Sequence, residues 1–425
     1  MKSEKLTLNR VTIHADKINN FQFSIFNFQF TISMILLGID GGASKISAWE
    51  VLFDKEHNSF SLGTLNIVRE YRHYDEFIQS FTPVELSCQL SEMNRDIELT
   101  QDELVQGEVY ISACADVITE FAAKNKDKKL LVGIGMPGLK SKDKRGIVAL
   151  ANGPRMPLYA ERVEQKLEER GIKLVSKIAV LGSDADYCGI GEEYAVEGEF
   201  KNCTNAYYLG GGTGIADAIK LKGKVMPFDE VKEWIAKTWE MKADSGLSLE
   251  RYTSVSGIQF IYSQYSGINV EELNNRSVFP PQILNAAYNG DKNSIDTYND
   301  ISRNLAKLIF ERITTLFFGW QNHFEFINPD KPKLLCDHPY KGTFFDKIII
   351  GQRLGDLMKE SRGSGVLYDK VIDYLTEFVN NINDIQFKKH YLKERNFNQE
   401  LIFFSSLREA PAIGAGIDAY FNKFK

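Results

Sequence analysis

The chain has 425 residues, 43% of them hydrophobic, 25% charged and 12% aromatic, with a formal net charge of −6. That length exceeds one ordinary core, so two domains are expected, and the composition is globular rather than disordered or fibrous. Acidic and basic residues are interspersed without a basic tract, which excludes nucleic acid as the main partner and leaves any anionic ligand to a local site of backbone amides or a few cations.

The first 33 residues include FQFSIFNFQFTIS, in which aromatic and polar residues alternate. The segment is too polar for a signal-peptide core and too short and mixed to span a membrane. Residues 1–33 read as a disordered or dispensable extension ahead of Met34, with an extra edge strand as the alternative. From Met34 the order is ILLGID, ISAWEVLF and a third strand around FSLGTLNIVRE, an antiparallel meander with glycine and polar turns. Residues 83–108 are acidic and polar and are expected to form an insertion or surface helix. VYISACADVITEFAAKN has helical apolar spacing, and KLLVGIGMPGL is a buried strand ending at Pro137-Gly138.

LYAERVEQKLEERG is a charged amphipathic helix stopped by Gly171, and SKIAVLGSDADYCGIGEEYAVEG reads as a strand, a turn and a helix beginning with Asp184. TNAYYLGGGTGIADAIKLKGKVM opens a second round of strand, glycine turn and strand. Helices are expected over 230–325, and KIIIGQRLGDLMKE and ELIFFSSLREAPAIGAGIDAYFNKF close the chain with strand–helix units. The alternation predicts an α/β fold, and the glycine-turned hairpin that begins each half predicts an internal duplication.

Both hairpin turns have ligand-binding chemistry. In LGGGTG, four glycines in five positions let backbone amides turn toward a ligand with no Cβ in the way, and Thr213 adds a hydroxyl. A tight hairpin needs the same glycines, so the turn alone leaves phosphate binding and hairpin geometry open. A dinucleotide fingerprint is excluded, because the segment after Gly214 reads as a strand rather than a phosphate-capping helix, and no GxxxxGK[ST] occurs. In DGGASK, a carboxylate beside a phosphate-binding turn requires a cation between them, which makes Asp40 a holder of Mg²⁺, directly or through water, and leaves Lys45 for a phosphate. A turn-capping aspartate is the alternative for Asp40. Asp184 stands where a strand gives way to a helix, a position open both to chemistry and to an N-cap. The five cysteines are scattered with no CxxC, so neither a disulfide framework nor a structural zinc site is expected, and a reducing cytoplasm fits.

Taken in order, these motifs resemble the ASKHA superfamily of acetate and sugar kinases, Hsp70 and actin, and within it the ROK sugar kinases. GIDGGASK resembles the first phosphate motif, GIGMPGLKSKDKRGIVALANGPRMPL the stretch where a Pro-Gly turn leads to a sugar-contacting Asn, and SDADYCGIGEEY the helix start that carries the catalytic base. LGGGTGIADAIKLKGKV resembles the second phosphate motif, and IIIGQRLG and APAIGAG the adenosine-side segments. The resemblance implies two actin-like (ribonuclease H-like) domains around a cleft: 34–200, completed by the helix 409–425, and 201–408.

It further implies Mg²⁺-dependent transfer of a phosphoryl group from ATP to a sugar or sugar-like small molecule. Asp184 would be the base, and Asn152, Gly153, Ser183 and Glu250 would contact the acceptor. Gly41, Gly42, Ser44, Lys45, Gly211, Gly212, Thr213, Gly214, Gly351, Gln352 and Gly414 would contact the nucleotide, with Asp40 on the metal. Neither nucleic acid nor membrane is expected as a partner, and a homodimer stays open. The sequence departs from the ROK pattern in Ser183 before the base, in lacking the clustered zinc cysteines, and in having WIAKTWEMKADSG where an acidic Glu-x-Gly-His segment reads hexose hydroxyls. DGGASK also resembles the N-acetylglucosamine kinase and BadF-type ATPase branch. A partner-activating ATPase and a sugar-binding sensor are the alternative functions.

Overall fold

The computed structural model describes residues 34–92, 97–126 and 128–424. The reading of residues 1–33 lies outside the described residues. The first meander is β1 (Met34–Gly41), β2 (Lys45–Asp54) and β3 (Ser59–Glu70). The short α1 (Leu86–Glu92) and the long α2 (Gln101–Lys124) lead to β4 (Lys129–Gly135). A small hairpin, β5 (Leu139–Lys140) and β6 (Ile147–Ala149), precedes α3 (Tyr159–Glu169), β7 (Leu181–Gly182) and α4 (Asp184–Tyr194).

The second meander is β8 (Ala206–Gly211), β9 (Ile215–Leu221) and β10 (Lys224–Met226), followed by α5 (Phe228–Val231) and β11 (Met241–Lys242). A helical stretch then runs through α6 (Glu250–Thr253), α7 (Val255–Ser266), α8 (Val270–Asn275), α9 (Pro280–Tyr288) and α10 (Lys292–Phe318) to β12 (Glu325–Phe326). The chain closes with β13 (Lys347–Gly351), α11 (Gln352–Glu360), α12 (Tyr368–Asn380), α13 (Ile385–Tyr391), β14 (Leu392–Lys393), β15 (Asn396–Phe397), β16 (Ile402–Phe404) and α14 (Ala410–Phe424).

The two principal sheets have one plan: β3-β2-β1-β4-β7 and β10-β9-β8-β13-β16. In each, an antiparallel meander is extended by two parallel strands, β4 and β7 on β1, and β13 and β16 on β8. The internal duplication expected from the two hairpins is therefore present at the level of topology. The architecture is the two-domain, actin-like one.

Alternation along β1 shows why its apolar run is continuous. Ile35, Leu37 and Ile39 face a core shared with α2, whereas Leu36 joins a second core shared with α4 and α14, so both faces are dry. The last helix of each half crosses to the other. α4 follows the first sheet yet packs against β9 and β10, and α14 follows the second sheet yet packs against β1, β2 and β4. The two helices also pack on each other. Glycines permit this closeness: a Cβ at Gly38 would lie 1.8 Å from the Ala412 carbonyl oxygen, and one at Gly133 would lie 1.9 Å from that of Ala415.

Three expectations need correction. Residues 101–108 are not an insertion but the first turns of α2, with Glu103, Gln106 and Gly107 buried. The helix begins there because Thr100 and Glu103 form a reciprocal capping box, Glu103 N–H to Thr100 Oγ1 at 3.1 Å and Thr100 N–H to Glu103 Oε2 at 3.0 Å. The strand expected in SKIAVLG shrinks to Leu181–Gly182, and the expected helix over 230–325 begins in earnest at Glu250.

Candidate active site

Each sheet ends, at the carboxyl side of its central strand, in a glycine turn. In the first, the Gly42 N–H donates to the Lys45 carbonyl at 2.9 Å, while Ala43 and Ser44 are tied from below by the Tyr110 hydroxyl (2.8 Å) and the Tyr71 N–H (3.0 Å). In the second, the Gly212 N–H donates to the Gly214 carbonyl at 2.9 Å, and the Gly212 carbonyl accepts the Val255 N–H at 2.9 Å. Ser44, Lys45, Thr213 and Gly214 are exposed at the tips. A Cβ on Gly42 would meet nothing closer than 3.5 Å, so the glycine there is not required by protein packing. Gly41 differs, since a Cβ would lie 2.0 Å from the Met136 sulfur, and so does Gly211, where it would lie 2.4 Å from the Thr253 carbonyl oxygen.

Asp40 is the penultimate residue of β1, paired with Ser47 of β2 and Gly135 of β4. Burial, with the charges of Asp184 and Glu409, pushes its carboxyl up to about 7 against the opposing charge of Lys45. Among the described residues its carboxylate has no ion-pair partner within 4.0 Å. A buried, uncompensated carboxylate beside an open glycine turn fits a cation.

Asp184 occupies the first helical position of α4, and the cap is the residue before it. Ser183 Oγ accepts the Asp186 N–H at 3.0 Å. The Asp184 carboxylate accepts the adjacent Ala185 N–H at 3.0 Å. Burial raises its pKa, opposed by that hydrogen bond and by the ammonium groups of Lys140 and Lys237. Lys140 Nζ donates to the carbonyls of Met136 (2.6 Å), Gly138 (2.8 Å) and Pro137 (3.4 Å), and burial brings it down to about 8.

The Asn152–Gly153 turn follows β6. Gly153 packs beside Leu150 and the Tyr110 hydroxyl, the group that also holds Ala43 of the first glycine turn, while the Asn152 side chain is exposed. Buried Arg155 pins this loop to the start of α2 through Glu103, Nε to Oε1 at 2.6 Å and the terminal nitrogen to Oε2 at 2.8 Å, and also reaches Glu92. Glu250 opens α6 against the second glycine turn. Its Oε1 accepts the Ile215 N–H at 3.3 Å, and burial raises its pKa.

Gln352 adopts φ +57°, an uncommon conformation for a residue with a side chain, and a Cβ on Gly212 would lie 2.6 Å from its Oε1. The neighbouring Gly351 packs on the Tyr208 ring. A Cβ on Gly414 would lie 1.9 Å from the Tyr187 carbonyl oxygen, where α14 crosses α4, so helix packing by itself demands this glycine.

The structure thus brings Asp40, Lys45 and Asp184 into one electrostatic neighbourhood, and groups Gly211, Gly212, Gly214, Glu250 and Gln352 in another. Lys140, Asp186, Lys237 and Glu409 share these surroundings and were not singled out from sequence. Lys140 and Lys237 lie inside stretches quoted for other reasons, and nothing in their spacing marks them.

No family model and no curated protein matches the sequence. Solved structures do match. A ROK family glucokinase from Streptomyces griseus, in complex with glucose and AMPPNP, superposes with a TM-score of 0.53 at 15% identity, covering 91% of this chain and 99% of that one. A ROK hexokinase from Thermus thermophilus gives 0.53 at 14% identity, covering 92% and 99%. A ROK family transcriptional regulator, a homologue of the E. coli MLC protein, gives 0.52 at 11% identity, covering 92% of this chain and 79% of that one. Together with the paired sheets and exchanged helices, these likenesses show that the chain has the two-domain, actin-like fold of the ROK sugar kinases.

Proposed function

We propose that this protein is a kinase that transfers the γ-phosphate of ATP to a hydroxyl of a sugar or sugar-like small molecule, with Asp184 as general base. The observation that carries this reading is the state of Asp184: a carboxylate at a helix start, relieved of capping by Ser183, raised by burial and flanked by two lysines. A base whose pKa lies above the ordinary carboxylate range holds the proton of an attacking hydroxyl more readily. That hydroxyl oxygen forms its bond to the γ-phosphorus as the bond to the β-phosphate oxygen breaks, and ADP leaves.

The turns at Gly41–Lys45 and Gly211–Gly214 would cradle the phosphates from two sides, with Gly351 and Gln352 on the nucleotide side of the second. Mg²⁺ bound with the nucleotide supplies neutralisation of phosphate charge, and Asp40 would hold it. Asn152, Gly153 and Glu250 would orient the acceptor, and Ser183 would serve chiefly as the cap. In this reading 34–200 with 409–425 is one jaw and 201–408 the other, and their closure excludes water.

A sugar-binding regulator is the second reading, favoured by the regulator that has the same fold. ADP release from Mg-ATP against a panel of sugars, with Asp184→Asn in parallel, separates the two. The kinase reading expects release that depends on one acceptor and is lost in the variant. Nucleotide-independent sugar binding with no turnover favours the regulator.

A further inference from the structure

Lys237 lies between α5 and β11, on the half of the chain that carries the second glycine turn. Its Nζ stands 5.6 Å from the centre of the Phe228 ring. The Phe228 N–H donates to Asp186 Oδ1 at 3.1 Å, and Asp186 is two residues beyond Asp184 on α4. This chain of contacts carries an ammonium from one half of the molecule to the helix start of the other, where its charge acts on Asp184 and Lys140 alike.

Asp184 feels the charge of Lys237, yet among the described residues no carboxylate comes within 4.0 Å of the Lys237 Nζ. Lys140 has committed its donors to three backbone carbonyls. Among the described residues the Lys237 Nζ makes no hydrogen bond or ion pair, which leaves it the cation beside Asp184 with its donors free.

Its backbone is firmly held. The Lys237 N–H donates to Glu240 Oε2 at 2.8 Å. The next residue, buried Thr238, donates its N–H to Asp217 Oδ2 (2.8 Å) and its hydroxyl to Oδ1 (2.7 Å). Asp217 Oδ1 also accepts the Tyr207 hydroxyl at 2.6 Å and lies 3.3 Å from the Arg312 guanidinium. A buried network in which Asp217 accepts from Thr238 and Tyr207 fixes the loop before any ligand arrives, which lowers the ordering cost of binding.

We infer that Lys237 reads an anionic substituent on the acceptor, so that the substrate is a sugar acid or a sugar phosphate; the inference rests on the kinase reading above. A neutral sugar would leave this part-buried ammonium without an anion. A carboxylate or phosphate ester pairs it and leaves the reacting hydroxyl toward Asp184 on the facing wall.

The test is ADP release by the full chain with gluconate and glucuronate in one arm, glucose 6-phosphate in a second and glucose in a third, for wild type, Lys237→Met and Lys237→Arg, each checked by thermal melting. One anionic compound is expected to exceed glucose in kcat/KM by roughly tenfold or more, the scale of one charge-assisted hydrogen bond. Lys237→Met is expected to raise the KM for that compound roughly ten- to a hundredfold on the same scale, with the KM for Mg-ATP nearly unmoved and Lys237→Arg restoring most of the loss. Glucose as the best acceptor, with a KM indifferent to Lys237→Met, overturns the inference and leaves the kinase reading standing. A raised KM for Mg-ATP with every acceptor also overturns it, by placing Lys237 on the nucleotide phosphates. No acceptor-dependent release in any arm overturns the kinase reading and the inference with it.

Discussion

The Ser183 hydroxyl accepts the Asp186 N–H at 3.0 Å, so the helix that begins with Asp184 is capped by the residue before it. Capping and chemistry, which compete for one side chain when the sequence is read alone, are divided between neighbours. Ser183→Ala should lower stability by about 1 kcal/mol, read as a shift in the urea midpoint with an unchanged slope, and Ser183→Asp should recover most of it. The KM for the acceptor should stay near the wild-type value in both variants.

The glycines offer a second test, because equal residues do unequal work. A Cβ at Gly42 meets only an ordinary contact at 3.5 Å, whereas one at Gly414 would lie 1.9 Å from the Tyr187 carbonyl oxygen. Gly42→Ala should melt close to wild type and lose nucleotide affinity in calorimetric titration. Gly414→Ala should destabilise by about 3 kcal/mol or more, since the helix crossing cannot relax around a backbone oxygen. A Gly414→Ala protein with wild-type melting would contradict the packing role.

Glu192 gives a pH dependence with a definite sign. It is buried on α4, where its carboxylate accepts the Ser405 hydroxyl and the Glu199 N–H (2.8 Å), and burial pushes it up to about 7. The folded state therefore holds this proton more tightly than the unfolded chain. The resulting stabilisation is complete below the ordinary glutamate range, declines as pH rises, and is gone above about 7. Glu192→Gln removes the titration at nearly constant shape. Relative to wild type the variant should gain stability between pH 5 and pH 8, by an amount on the order of 3 kcal/mol in denaturant melts. A difference that stays flat across this range would contradict the assignment.

Much of this architecture was legible because it is local. The two hairpins announce themselves by apolar strands broken at Asp40-Gly41-Gly42 and at Gly210–Gly214, and both occupy corresponding places in their sheets. The helix start at Asp184 was likewise readable from a strand, a small polar residue and an acidic first turn. What stayed hidden depends on distant partners. Residues 101–108 look like surface, yet Glu103 among them is buried because Arg155, 52 positions away, pairs with its carboxylate. Lys237 comes near Asp184 beside the contact of Phe228 with Asp186, across 42 positions. The packing demand at Gly414 was also hidden, because a ligand and a crossing helix ask the same thing of a residue, the absence of a Cβ.

The central claim is that the phosphoryl group goes to an acceptor and that Asp184 takes the acceptor's proton. The most direct measurement follows label from [γ-³²P]ATP in the presence of the best acceptor, with Asp184→Asn as the comparison. Label is expected in the acceptor, with a stoichiometry that matches ADP. Asp184→Asn should lower kcat by roughly a hundredfold or more, as loss of a general base does, while nucleotide binding persists. Label appearing as inorganic phosphate regardless of acceptor, or transfer unchanged in the variant, would contradict it.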